Sequence, residues 1–182
     1  MRDLSLHLLD LAQNSITAGA SLVTIRITID DQGWLTMVLK DDGKGMSPEL
    51  LKSVTSPFAT TRTTRKVGLG IPMIMENARL TGGDVRLEST VGVGTTLTAT
   101  FNTRSIDCLP LGDIPGTMVA LILANPEKPE FSLLCKAPEG EMHFSTAQVR
   151  EILQGVGLNE PEVVQWMDES LREEIEPIFG GV

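Results

Sequence analysis

The residues best suited to ligand chemistry stand at positions 41–46, Asp-Asp-Gly-Lys-Gly-Met. Two glycines one residue apart let a turn bring backbone N–H groups close to a ligand, and the Asp41 carboxylate before them accepts hydrogen bonds from an amine. The segment follows a predicted strand at 34–40 and precedes Ser-Pro-Glu at 47–49, which is typical of a helix start. Alone the pattern is weak, because acidic glycine turns are common between strands.

Residues 3–18 form a predicted amphipathic helix that carries a second set of candidate ligand groups. Beside its apolar stripe, one face aligns Asp10 and Asn14 one turn apart. The amide oxygen of Asn14 suits a hard cation such as Mg²⁺, and Asp10 would then hold or deprotonate a water beside it. The periodicity alone favours a plainer interpretation, a solvated helix face. His7, on the same face, is expected at the surface or in helix packing rather than as a phosphate acceptor.

A threonine-rich stretch at 53–67 shows little apolar periodicity and is predicted as a mobile loop anchored by Phe58. Its hydroxyls, with Arg62, Arg65 and Lys66, supply donors that suit a polyphosphate. A solvated basic loop is an equal alternative on these residues alone.

Gly68, Leu69 and Gly70 open a predicted helix that runs to about residue 81. Free N–H groups and the dipole at such a helix start favour negative charge. The other regular elements predicted in this part are strands, at 22–29, 34–40, 84–90 and 95–101. Thr95 begins the last strand, where its hydroxyl would reach a base; the alternative is that it reflects only the preference of threonine for strands.

With these elements in order, residues 1–102 resemble the GHKL ATPases, the family of DNA gyrase, Hsp90, histidine kinases and MutL-type repair proteins. The likeness rests on DLAQNSITAGA at 10–20, DDGKGM at 41–46, SPFATTR at 56–62, VGLGI at 67–71 and GVGTTL at 92–97. It implies an α/β fold, the two-layer α/β sandwich known as the Bergerat ATP-binding fold, in which helices cover one face of a mixed sheet.

The resemblance also implies a site for ATP and Mg²⁺. Asn14 would coordinate the metal, Asp41 would contact the adenine amino group, and Thr95 would reach the adenine through a bound water. The other residues implied in the nucleotide site are Gly43, Gly45, Met46, Phe58, Thr61, Arg62, Lys66, Gly68, Leu69 and Gly70. Hydrolysing members carry Glu where this chain has Asp10, the candidate catalytic residue. The Asp10 side chain is shorter by about one bond length, and a general base must come within hydrogen-bond distance of the proton that it removes.

Charge and composition bear on the partners. The formal net charge is −9, and residues 103–182 supply all of it, because residues 1–102 hold equal numbers of acidic and basic side chains. An acidic half argues against nucleic acid and anionic membranes as partners. The longest apolar run, 118–124, is too short to span a bilayer, and Cys108 and Cys135 match no metal or redox spacing. We therefore expect a cytoplasmic protein that acts on a protein partner.

Residues 103–182 are predicted as a small, acidic α+β extension of unknown function, separate from the ATP-binding domain at 1–102. It would contain a hairpin of strands at 117–124 and 131–137, which either extends the first sheet or forms its own layer. Two helices would follow, the second with a capping box formed by Asn159 and Glu162.

Two functions remain open from the sequence. The first is a histidine-type or serine-type protein kinase of signal transduction; no phosphoacceptor hairpin precedes the motif at 10–20, so the acceptor is expected on a separate protein. The second is a non-catalytic switch, in which ATP orders residues 53–67 and changes the docking of a partner or the formation of a homodimer. A slow ATPase would lie between the two.

Overall fold

The computed structural model of the protein describes residues 2–56, 70–180 and 182. The strands of this part are β1 (Leu22–Ile29), β2 (Trp34–Asp41), β3 (Val85–Thr90), β4 (Gly94–Asn102), β5 (Glu130–Ala137) and β6 (Gly140–Ser145). Its helices are α1 (Leu4–Thr17), α2 (Pro48–Thr55), α3 (Gly70–Leu80), α4 (Ile114–Ala124), α5 (Thr146–Leu153) and α6 (Pro161–Phe179).

All of these strands belong to one mixed sheet, in the order β3–β4–β2–β1–β5–β6. Neighbouring strands are antiparallel except β1 and β5, which run parallel with Leu22 opposite Glu130. The predicted hairpin of β1 and β2 is present, with Arg26 opposite Val38.

Helices cover one face of the sheet, which gives the predicted two-layer α/β sandwich. On β1, Val23, Ile25 and Ile27 are fully buried, whereas Leu22 and Arg26 on the opposite face are exposed. The other strands of the sheet alternate in a similar way, as expected for a sheet with one solvated face.

Helix α1 occupies the middle of the covered face and is set by clear local signals. Asp3 caps its start by accepting a hydrogen bond from the backbone N–H of Leu6. Leu4, Leu8 and Leu11 form its buried stripe. The connector before α4 also holds this end, because the carbonyl of Pro110 accepts a hydrogen bond from the N–H of Leu4 at 3.0 Å.

The prediction of a strand at 117–124 was wrong, because these residues lie in helix α4. Nearly every side chain in this helix is apolar, so it lacks the one-sided pattern that separates a helix from a buried strand. Its start does carry helix signals: Asp113 accepts a hydrogen bond from the N–H of Gly116, and Pro115 lies in the first turn. The hairpin is therefore formed by β5 and β6 instead.

The hairpin of β5 and β6 continues the sheet of the N-terminal strands and does not form a layer of its own. The division at residue 102 stays a prediction, although the buried core is continuous and includes Met118 of α4 and Met167 of α6. The capping box was also wrong: α6 begins at Pro161, and its N-cap residue, Glu160, makes no side-chain cap bond.

Two further findings concern the helices. Helix α2 runs to Thr55, so residues 53–55 are helical and not part of a loop as predicted. Phe58, the predicted anchor of that loop, lies outside the described residues. Among residues 2–56, 70–180 and 182, no helix has the length and apolar content needed to cross a membrane.

Candidate functional site

A cavity of about 270 Å³ lies between α1, α2, the start of α3 and the neighbouring ends of β2 and β4. Its apolar wall is formed by Leu11, Leu39, Met46, Leu50, Val54, Ile71, Leu87 and Leu97. The polar residues that line it are Asn14, Ser15, Thr17, Asp41, Lys44 and Thr95. Apolar walls with a few placed polar groups are typical of small-molecule sites and suit a planar ring.

Asp41 is a buried carboxylate in the wall of this cavity. It is the last residue of β2 and is only 7% exposed. The hydroxyl of Ser15 on α1 donates a hydrogen bond to Asp41 Oδ2 at 2.5 Å, and the N–H of Gly43 donates to Oδ1 at 2.9 Å. Each carboxylate oxygen has two lone pairs, so both still accept a hydrogen bond from a ligand.

The turn after Asp41 is held from both sides. The Asp42 carboxylate accepts hydrogen bonds from the hydroxyl and N–H of Ser21 and from the N–H of Leu22, and these bonds lower the pKa of Asp42. The N–H of Lys44 donates to the carbonyl of Ala18 at the end of α1. The turn is thus fixed to α1 and to the start of β1.

Gly45 in this turn has no room for a side chain. Its φ is +72°, and a Cβ there would lie 2.1 Å from the carbonyl oxygen of Thr90. One residue later, the N–H of Met46 donates to the hydroxyl of Ser89 on β3 at 2.8 Å. The second glycine of the motif therefore allows the turn to pass directly over β3.

Asp10, in the middle of α1, lies against Gly70. A Cβ on Gly70, the first residue of α3, would lie 2.0 Å from Asp10 Oδ2, so the carboxylate faces the start of that helix. Burial raises the pKa of Asp10. Asp10 does not itself line the cavity, whereas Asn14, one turn further on, does.

Two oxygen donors on α1 fit a magnesium ion. Asn14 offers an amide oxygen and Asp10 a carboxylate, and Mg²⁺ in nucleotide sites takes only one or two protein oxygens beside phosphates and waters. Among the described residues, no group of three or more His, Cys, Asp or Glu side chains is placed to hold a metal alone.

His7 joins α1 to α3 behind the site. It is completely buried, and Asn77 Nδ2 on α3 lies 2.7 Å from His7 Nε2. Burial lowers the pKa of His7 to about 4, so the ring is neutral near pH 7. Its Nδ1 has no partner among the described residues. His7 is a packing residue, one of the two roles expected for it.

The structure brings together much of the predicted site. The predicted site residues that line the cavity are Asn14, Asp41, Gly45, Met46 and Thr95. The N–H of Gly43 donates a hydrogen bond to Asp41. Predicted site residues outside the described part of the chain are Phe58, Thr61, Arg62, Lys66, Gly68 and Leu69.

Sequence reasoning missed two hydroxyl residues that organise the site, Ser15 and Ser89. Each stands on the inward side of an otherwise apolar pattern, on α1 and β3 respectively. A hydroxyl on a buried face needs a hydrogen-bond partner, so its position alone was a usable signal.

Residues 2–105 match the family described as histidine kinase-, DNA gyrase B-, and HSP90-like ATPase. The chain belongs to this family. The resemblance drawn from the five motifs is therefore confirmed, over a little more than half of the chain.

Similar proteins include two bacterial histidine kinases. The histidine protein kinase DivJ of Caulobacter vibrioides is 33% identical over 79 residues, which cover 40% of this chain and 13% of DivJ. The sensor histidine kinase ZraS of Salmonella typhimurium is 29% identical over 93 residues, 50% of this chain and 20% of ZraS. The chain thus spans a fifth or less of the length of these curated relatives.

Solved structures agree on the fold. The Aquifex aeolicus MutL ATPase domain complexed with ADP has a TM-score of 0.53 at 16% identity, over 85% of this chain and 70% of that one. The N-terminal domain of a DNA repair protein has a TM-score of 0.50 at 17% identity, over 80% and 52% of the two chains. At such identities the likeness concerns the fold alone.

The contact of Gly45 with Thr90 predicts a difference between two glycine substitutions. Gly92→Ala is the matched control, because Gly92 has a similar φ of +80° but no atom within 4 Å of an added Cβ. Gly92→Ala should lower the free energy of unfolding by about 1–2 kcal/mol, the cost of the left-handed backbone. Gly45→Ala should lose about 1–3 kcal/mol more through overpacking. Equal losses in urea titrations would show that the turn moves freely away from β3.

The buried His7 predicts that stability falls at mildly acidic pH. The unfolded chain binds a proton on His7 below about pH 6.5, while the folded protein does so only near pH 4, so stability rises with pH between these values. His7 contributes at most about 1.4 kcal/mol per pH unit to the slope of the free energy of unfolding against pH. Urea titrations from pH 4 to 8 should show it in wild type and in the exposed-site control His143→Gln, but not in His7→Gln. A slope in His7→Gln as steep as in wild type would refute this origin.

Proposed function

We propose that the cavity binds ATP together with Mg²⁺. The observation that carries the proposal is the buried Asp41 carboxylate, with both oxygens held by Ser15 and Gly43 against an apolar slot. A fixed acceptor at the inner end of such a slot suits the exocyclic amino group of adenine, whose ring then packs on Met46. The family supports the same ligand, because its description is that of an ATPase.

The phosphates would then lie toward the start of α3. The N-terminus of a helix favours anions, and the Asp10 carboxylate faces this one. Asn14, which lines the cavity together with Ile71 of α3, would hold Mg²⁺. A bound magnesium ion would neutralise charge on the phosphate oxygens. Contacts from Thr61, Arg62, Lys66, Gly68 and Leu69 remain part of the proposal on the strength of the family resemblance.

The reaction we propose is transfer of the γ-phosphoryl group to a residue of a separate protein. The acceptor atom would form the new bond to phosphorus, ADP would leave, and Asp10 would take the proton of the attacking group. The names of the relatives, histidine kinases, support a phosphorylated partner in a signalling pathway. A cytoplasmic location, a homodimer and the exclusion of nucleic acid and membrane as partners belong to the same proposal.

A second candidate is an ATP-controlled switch with little or no turnover. It is favoured by one observation, that the Asp10 carboxylate, shorter than the glutamate of hydrolysing family members, does not line the cavity. In this case nucleotide binding would change how a partner docks, without chemistry.

Substitution of Asn14 tests the metal part of the site. Asn14→Ala should weaken binding of ATP in the presence of Mg²⁺ by tenfold or more, while binding of adenosine stays unchanged, because only the phosphates share the metal. Gln13→Ala, at the exposed neighbouring position of α1, is the control and should bind as wild type does. Calorimetric titration gives both affinities. An Asn14→Ala protein with wild-type affinity for Mg²⁺ and ATP would contradict the assignment.

The fate of the γ-phosphate separates the two candidate functions. The protein is incubated with γ-labelled ATP and Mg²⁺, alone and with lysate from its own source. We expect label on a protein of the lysate, with Asp41→Asn as the control that loses it. Release of label only to water would favour a slow ATPase, and intact ATP that still binds would favour the switch.

A further inference from the structure

Strand β6 forms one edge of the sheet. Within residues 2–56, 70–180 and 182, it pairs with β5 alone, and the strand order ends at it. An edge strand offers backbone N–H and C=O groups that bind a further strand. The side of β6 turned away from β5 is thus a surface on which another strand fits.

The direction of the backbone groups on β5 follows from two hydrogen bonds near its start. The N–H of Glu130 donates to the carbonyl of Ser21, which directly precedes β1, at 2.9 Å. The N–H of Phe131 donates to the hydroxyl of Thr146, which directly follows β6, at 2.8 Å. Because backbone groups alternate in direction along a strand, every second residue of β5 after Phe131 also points its N–H toward β6.

The register then shows which groups of β6 face the open edge. Phe144 and Met142 lie opposite two of these β5 residues, and directly opposite residues of this kind exchange both backbone hydrogen bonds. Phe144 and Met142 therefore turn their N–H and C=O groups toward β5. Glu141 and His143, which alternate with them, turn theirs toward the open edge.

The residues that face this edge are complementary to one another when β6 meets a second β6 in the antiparallel direction. With Met142 opposite Met142 of the second copy, Glu141 lies opposite His143 of that copy, and the reverse. Both side chains are exposed, and within one chain His143 Nε2 lies 3.0 Å from Glu141 Oε1. A carboxylate and an imidazole that lie opposite each other on two strands attract or hydrogen-bond each other.

The inner face of the sheet gives a second complementary pair in the same register. Phe144, which is half-buried, then lies opposite Gly140 of the second copy. Among the described residues, a Cβ on Gly140 would meet only Ile178 Cγ1, at 3.5 Å. An aromatic side chain that covers a glycine on the neighbouring strand stabilises a sheet. A register centred on His143 would instead place two histidines opposite each other and leave Gly140 without an aromatic partner.

We propose that two copies of this chain associate through β6, antiparallel and centred on Met142, so that their two sheets become one. Glu141 of each copy exchanges both backbone hydrogen bonds with His143 of the other copy. The inference rests on the proposed function only for its homodimer, to which it assigns an interface. It is independent of nucleotide binding, because the residues that form this interface do not line the cavity.

Charge reversal tests the pairing of Glu141 with His143. Sedimentation equilibrium over a range of concentrations gives the dimer dissociation constants of wild type, His143→Glu, and His143→Glu combined with Glu141→Lys. We expect His143→Glu to raise the dissociation constant by about tenfold, because two pairs of like charges then lie across the interface. The combined variant should return it to near the wild-type value, because each new lysine lies opposite a new glutamate. Arg86→Glu, exposed on the opposite edge strand, is the control and should dimerise as wild type does.

Three results of this experiment overturn the inference: a wild-type protein that is monomeric at every concentration, a dimer unchanged by His143→Glu, or a combined variant as weak as His143→Glu alone. Calorimetric binding of ADP to the same proteins should be equal in all of them, which shows that they are folded. A protein that dimerises as expected but binds no ADP would contradict the proposed nucleotide site and leave the interface standing.

A disulfide cross-link tests the register. The Glu141→Cys and His143→Cys proteins are oxidised separately and as a mixture, and links between copies are read on a non-reducing gel. Cα atoms of a hydrogen-bonded pair lie about 5.5 Å apart, within disulfide range, whereas diagonal neighbours lie about 7–8 Å apart. A link is therefore expected in the mixture and in neither protein alone. Wild type is the control for links through Cys108 and Cys135. A link in His143→Cys alone, or none in the mixture, would overturn the pairing centred on Met142.

Discussion

The hydrogen bond between Ser15 and Asp41 is the contact on which the site depends. Burying the Asp41 carboxylate without hydrogen bonds would cost several kcal/mol of folding free energy. The hydrogen bonds from the Ser15 hydroxyl and the Gly43 N–H offset this cost and so stabilise the end of β2. The same bond sets the position of α1 along the sheet. Because a helix is rigid over two turns, fixing Ser15 also fixes Asn14 in the cavity wall and Asp10 against the start of α3.

Close backbone approach is the second constraint. A Cβ on Gly94 would lie 2.0 Å from the carbonyl oxygen of Asp41, and one on Gly45 would lie about as close to Thr90. Two glycines far apart in the chain thus let the acidic turn and the β3–β4 hairpin lie directly against each other. Gly45 and Met46 of this turn line the cavity, and the Ser89 hydroxyl of the hairpin accepts a hydrogen bond from the N–H of Met46.

The strands and helices of this arrangement were predictable from the sequence wherever apolar residues fall on one face of the element. Strands β1 to β4 and helices α1 and α3 were predicted close to their observed bounds, and Asn14, Asp41 and Thr95 lie around one cavity as the motifs indicated. Helix α4 was missed because it is apolar on nearly all sides, so its sequence lacks the three- to four-residue spacing of apolar residues that indicates a helix. Ser15 and Ser89 were missed although both lie at inward positions, because the groups that bond their hydroxyls lie on other elements. The pairing of β1 with β5 leaves no local trace, since register between distant strands is set by tertiary packing.

That parallel pairing has a consequence for how the protein is made. Leu22 pairs with Glu130, 108 residues later in the chain, so β1 leaves the ribosome long before its partner exists. At about 5–20 residues per second, the delay is roughly 5–20 s. Throughout it, one backbone edge of β1 has no strand to pair with, beside Val23, Ile25 and Ile27, and such an edge invites pairing with other chains. The nascent polypeptide therefore passes through a period in which chaperone contact or crowding on neighbouring ribosomes decides its yield.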